Sequence, residues 1–169
     1  MSTMARSVIV PLALLAAASA SFAAASATPP AGIRVEIAYP ASLGPGPFDG
    51  RVLLLLSTDD TAEPRFQISD TSLESQQVFG VDVLDWRPGQ KASFEGDVLG
   101  YPVESLAQVP AGTYNVQALL HKYETFRRAD GHTVKLPMDR GEGQQWSQAP
   151  GNLYSTPRKI TIDPAKGGV

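Results

Sequence analysis

The chain has 169 residues, a formal net charge of −3, 43% hydrophobic residues, no cysteine and two histidines. That length fits one domain with a core of its own, and the lack of cysteine excludes disulfide staples, thiolate metal sites and cysteine nucleophiles. A mildly acidic chain without a Lys/Arg cluster also argues against nucleic acid or an anionic membrane surface as a partner.

Arg6 opens the chain with a basic residue, 8–18 is apolar except for Pro11, and 18–27 is dominated by small residues. This is the layout of a secretory signal peptide over 1–27, with cleavage expected between Ala20 and Ala27. An uncleaved anchor is the alternative, but the apolar core falls short of the roughly 20 strongly apolar residues of a membrane-spanning helix. The mature protein is therefore expected to be periplasmic or secreted and free of the membrane. Losing Arg6 with a leader that holds no acid makes the remaining chain one charge more negative.

After a short Pro/Ala/Gly tether, Ile33, Val35, Ile37 and Tyr39 alternate with Arg34, Glu36 and Ala38. A period of two predicts a strand with one buried face. Residues 40–50 hold three prolines and three glycines and read as a turn-rich loop. Val52-Leu53-Leu54-Leu55-Leu56 is apolar on both faces and short, which favours a central strand, although periodicity alone does not distinguish it from a buried helix.

Residues 77–86 form the next predicted strand, with Phe79, Val81 and Val83 on one side and Asp82 on the other. A turn at 87–90 and a short strand at 91–94 follow. Val109-Pro110-Ala111-Gly112-Thr113-Tyr114 opens an alternating strand in which Tyr114, Val116, Ala118 and Leu120 face in and Asn115 and Gln117 face out. A Pro-x-Gly turn entering a strand through a Tyr is common late in immunoglobulin-like sandwiches. The last strand is 159–162, and short helical turns fit 69–77 and 103–108. Six or seven short strands and no sustained helical period predict a mainly β, immunoglobulin-like β-sandwich over 28–163, with 164–169 as a linker-like tail.

Between the last two strands, 122–156 shows little strand or helix pattern and reads as one long irregular loop. Such loops tend to be functional or partner-docking. Its candidate binding or docking residues are Arg128, Asp130, His132, Asp139, Glu142, Trp146 and Tyr154. Asp130, His132, Asp139 and Glu142 are ligand types for a hard cation or zinc, but their spacing matches no ligand rhythm. Ion pairs to Arg127, Arg128 and Arg140 on a surface loop are the simpler account, and no metal or cofactor is assigned. Trp146 and Tyr154, with Trp86, have the chemistry of an aromatic platform for a sugar, against burial in the core.

No catalytic residue is assigned. The chain has no G-x-S-x-G elbow, S-x-x-K or H-E-x-x-H motif. His121 reads as a strand-end residue, and no serine near His132 and Asp130 sits on a strand-to-helix turn that would activate it.

Four stretches carry a resemblance: 48–52, 77–82, 109–118 and 123–155. The most specific part is Arg128-Ala129-Asp130-Gly131-His132-Thr133-Val134-Lys135-Leu136-Pro137-Met138-Asp139 with Gly141-Glu142-Gly143-Gln144-Gln145-Trp146. Together they resemble the N-terminal β domain of exported, uncharacterised bacterial proteins in which it precedes an esterase-type α/β-hydrolase domain. The resemblance implies an accessory domain whose partner is a downstream or separate α/β-hydrolase, with 122–156 as the docking surface. The nucleophile elbow and triad would belong to that hydrolase, and none of their residues maps onto this chain. A stand-alone module binding a glycan or other envelope ligand through Trp146 and Tyr154 is the rival expectation.

Overall fold

The computed structural model describes residues 32–72, 74–141, 143, 145–164, 166 and 167. The expected signal peptide and Glu142 lie outside the described residues, as do three of the six tail positions. Among the described residues, no helix is long and apolar enough to cross a membrane.

The protein is mainly β, and all its paired strands are antiparallel. The strands in chain order are β1 (Val35–Ile37), β2 (Phe48–Ser57), β3 (Gln77–Trp86), β4 (Ala92–Phe94), β5 (Gly100–Tyr101), β6 (Gly112–Arg127), β7 (Thr133–Pro137), β8 (Leu153–Tyr154) and β9 (Arg158–Ile162). β1 and β4 form a two-stranded sheet, and the other seven form a second sheet on the path β5-β3-β2-β6-β7, with β8 and β9 also paired to β6.

The run of four leucines lies in β2, between β3 and β6, as its two apolar faces require. Val52, Leu54 and Leu56 face the small sheet and join Ile33, Tyr39, Phe79, Phe94, Tyr114 and Ile162 in the main core. Leu53, Leu55 and Leu119 face the opposite side, covered by Ile68 and Trp146. Leu54, Leu55 and Leu56 are at most 1% exposed, and burying each contributes about 1.5–3 kcal/mol. The alternation in 33–39 is also borne out: Ile33 and Tyr39 are buried, while Arg34, Glu36 and Ala38 are exposed.

Several expectations are corrected. The segment 122–156 is not one irregular loop: β6 continues to Arg127, returns as β7 through five paired registers, and β8 lies within the same stretch. β6 has 16 residues, so it spans roughly 50 Å where a short strand was expected. His121 is consequently an interior residue of β6, not a strand end. Gln117 is 0% exposed. It stands opposite Leu55 in the register, on the covered second face. The helical turn expected in 103–108 is a 3-10 turn at Leu106–Gln108. The described part of 69–77 holds bends and turns before β3 begins, and other 3-10 turns occupy Pro64–Phe66 and Ala41–Leu43.

Two close approaches define the sheet. An added Cβ on Gly50 would lie 2.4 Å from the His121 carbonyl oxygen, so β2 and β6 meet there only because the residue has no side chain. At the loop entering β6, the Tyr114 hydroxyl donates to the Pro110 carbonyl at 2.7 Å and ties the start of the longest strand to the turn before it.

Candidate functional site

One edge of β6 is paired in succession by β9 at 112–116, by β8 at 119–120 and by β7 at 123–127. Between the last two partners the chain 138–152 loops away from the strand. Asn152 closes part of the break: its Oδ1 accepts the Lys122 N–H at 3.1 Å, and its Nδ2 donates to the Trp146 carbonyl at 2.7 Å. A cleft of about 520 Å³ opens beside this break, lined by Phe48, Asp49 and His121 to Glu124 from the sheet and by Met138, Arg140 and Asn152 from the returning chain.

The charges in and around the cleft are matched. Arg140 pairs with Glu124, and the Lys122 ammonium lies 4.8 Å from the centre of the Phe48 ring. Asp49 sits at a bulge: Phe48 is opposite Trp86 and Gly50 opposite Val83, leaving Leu84 and Asp85 to face Asp49 alone. Asp85 adopts φ 50° there, a left-handed conformation that Asp tolerates better than most residues. The Asp49 carboxylate accepts the Asp85 N–H at 2.9 Å and pairs with Lys135 of β7 at 2.8 Å. The Lys135 ammonium first, and the Asp85 N–H second, hold its carboxyl below the usual range. On the second face, Asp82, Arg51 and His121 occupy one row across three strands. Arg51 pairs with Asp82 at 2.9 Å, and the Tyr123 hydroxyl reaches Asp82 at 3.4 Å. Burial, and then the Asp82 charge, push the Tyr123 phenol up.

This arrangement suits recognition. The described cleft lining contains no Ser, Thr or Cys that His121 would activate as a nucleophile. Its polar groups instead offer fixed donors and acceptors around the apolar Phe48 and Met138.

The sequence-predicted residues are dispersed. Arg128, Asp130 and His132 form the tip of the β6–β7 hairpin, where the Arg128 N–H donates to the His132 carbonyl at 2.8 Å and the Asp130 carboxylate accepts the His132 N–H at 3.1 Å. The Arg128 guanidinium and His132 Nδ1 reach the same carboxylate at 2.8 and 3.3 Å, which makes this a self-paired turn. Asp139 caps its own bend by accepting the Gly141 N–H at 2.8 Å. No group of three or more His, Asp or Glu gathers as a metal site among the described residues. Trp86 is in the main core, its indole N–H donating to the Gln90 carbonyl at 2.9 Å, so it does not join a surface platform. Trp146 packs on the second-face core, whereas Tyr154, opposite Leu119 in the register, is 51% exposed with the Arg65 guanidinium 3.7 Å from its ring centre.

Arg65 and its partners were missed by the sequence reading. Its guanidinium donates to Glu63 at 2.9 Å and to the Ser147 carbonyl at 3.1 Å, and its backbone N–H donates to Gln117 Oε1 at 3.1 Å. Gln117 Nε2 in turn donates to Glu63 at 2.7 Å and to the Ser155 carbonyl at 2.9 Å. The signal lay in β2. A strand apolar on both faces is covered on both, so a polar residue beside Leu55 on the neighbouring strand is buried too and requires partners.

Fold and site together define a mainly β, antiparallel-sheet protein with a polar cleft at an interrupted strand edge. No protein-family model, curated protein or solved structure matches this chain.

Proposed function

We propose that this chain is an exported accessory domain of an esterase-type α/β-hydrolase, a β-sandwich related to the immunoglobulin-like class, that docks the hydrolase through the β6–β7 hairpin and the cleft beside it. The carrying observation is the hairpin itself: five antiparallel registers from Tyr123↔Pro137 to Arg127↔Thr133 in which no residue is buried. An isolated two-stranded arm is marginally stable in water, so an ordered arm with Phe126 opposite Val134 and with Leu136 52% exposed is suited to gain its burial from a partner. The matched charges of the cleft and the sequence resemblance support the same reading. For the sandwich, the support is the small sheet over the main core and the Tyr114–Pro110 hydrogen bond, which has the form of a tyrosine corner.

The test is hydrolysis of p-nitrophenyl butyrate and retention of the α/β-hydrolase encoded in continuation of, or next to, this chain. Expected outcomes are no hydrolysis by the chain alone, retention of the hydrolase by the wild type, and loss of retention in a Phe126→Asp/Leu136→Asp variant whose thermal midpoint is unchanged. Hydrolysis by the chain alone that vanishes in His132→Ala, or a hydrolase that binds wild type and variant equally, overturns the proposal.

A further inference from the structure

On the second face, a groove of about 400 Å³ runs between the turn at 64–66 and the turn at 145–148, lined by Arg65, Phe66, Asp70, Gln145, Trp146 and Gln148. Arg65 holds its two walls together: it belongs to the first turn, donates to the Ser147 carbonyl of the second at 3.1 Å, and is itself only 11% exposed. Trp146 is anchored from beneath by the second-face core. The Phe66 ring is 48% exposed, with the Arg65 guanidinium 4.4 Å from its centre. Gln148 Nε2 donates to Gln145 Oε1 at 3.1 Å, so each amide fixes the other and leaves one acceptor and one donor end for a ligand.

Two aromatic side chains beside two amides and a carboxylate match the surface of a pyranose, whose ring faces are apolar and whose rim carries hydroxyls. The charge balance narrows the class. The Arg65 cation is already matched by Glu63 at 2.9 Å, and Asp70 adds a negative charge that repels an acidic sugar.

We propose that this groove binds a neutral oligosaccharide, with pyranose rings on Phe66 and Trp146 and hydroxyls on Asp70, Gln145 and Gln148. The groove shares Trp146 with the Trp146–Tyr154 platform expected from the sequence; Tyr154, 51% exposed with the Arg65 guanidinium 3.7 Å from its ring centre, does not line it. It does not depend on a hydrolase partner, and its residues are not those of the hairpin.

The experiment is calorimetric titration of the full chain with cellohexaose, xylohexaose and mannohexaose, and with hexagalacturonate as the acidic counterpart. The expected result is saturable binding of at least one neutral hexaose, weakened about tenfold or more in both Phe66→Ala and Asp70→Asn at an unchanged thermal midpoint, with hexagalacturonate bound more weakly. Trp146 is left intact because it also packs on the core. Absence of binding by all three neutral hexaoses, equal binding by both variants, or preference for hexagalacturonate overturns the proposal. The same variants should still retain the hydrolase, so failure here and failure of the docking reading are separable.

Discussion

The guanidinium carbon of Arg65 stands 3.7 Å from the centre of the Tyr154 ring, linking the turn that covers the second face of the sheet to the short strand β8. Arg65 also bonds Glu63 and the Ser147 carbonyl, so three separate segments meet on one side chain. Arg65→Ala is expected to lower unfolding free energy by about 1–3 kcal/mol, through lost stacking and lost hydrogen bonds to a charged group. Arg65→Lys should recover little of it, since an ammonium lacks the planar fork. Urea unfolding checks this; coincident midpoints for wild type and Arg65→Ala would show that the contact adds nothing.

Tyr114→Phe removes a single hydroxyl from the hydrogen bond to Pro110 and leaves the ring in the main core. A cost of about 0.5–1.5 kcal/mol is expected at unchanged denaturant slope. A larger loss accompanied by a changed slope would mean that the hydroxyl organises more of the fold than one turn.

Gly50→Ala should be far more damaging than Gly32→Ala. A Cβ at Gly50 meets backbone 2.4 Å away on β6, whereas at Gly32 nothing lies within 4 Å. Forcing the two central strands apart is expected to cost about 1–3 kcal/mol. Thermal midpoints of the two variants compare them directly, and equal midpoints would contradict the close packing of β2 on β6.

The amide nitrogen and oxygen of Gln67 are both buried and have no hydrogen-bond partner among the described residues. Gln67→Met keeps the side-chain length and removes the desolvated amide, so it should raise stability by about 1 kcal/mol. The backbone carbonyl of Gln67, which accepts the Gln76 N–H at 3.1 Å, is untouched. A drop in the unfolding midpoint would show that the amide does find a partner.

Acid should loosen the hairpin. Lys135 and the Asp85 N–H lower the Asp49 pKa from 3.8 in the folded protein. A lowered folded pKa gives stability that is fully present above the unfolded value and is lost as pH falls through the folded value. Unfolding free energies measured from about pH 7 down to about pH 2 should therefore fall less steeply on the acid side for Asp49→Asn than for wild type. Glu63, lowered chiefly by the hydrogen bond from Gln117, contributes in the same direction and persists in that variant. Identical acid slopes would remove Asp49 from the balance.

What the sequence determined by itself was local. Alternation in 33–39 places Ile33 and Tyr39 inside, the doubly apolar run at 52–56 requires a central strand, and the Pro-x-Gly-x-Tyr signature announces the turn that Tyr114 ties down. These patterns are legible because a strand's period of two writes its burial into neighbouring residues. Only the tertiary structure revealed that β6 continues through His121-Lys122-Tyr123-Glu124-Thr125-Phe126-Arg127, because that stretch is mostly polar and takes its order from pairing, His121 and Lys122 with β2 and Tyr123 to Arg127 with β7. The burial of Gln117 and its contacts with Glu63, Arg65 and Ser155 were likewise decided by long-range packing. A hydrogen bond between residues 54 positions apart leaves no mark in either local pattern. It exists because both faces of β2 are apolar and both must be covered, which brings distant turns, and the polar groups they carry, onto the second face of the sheet.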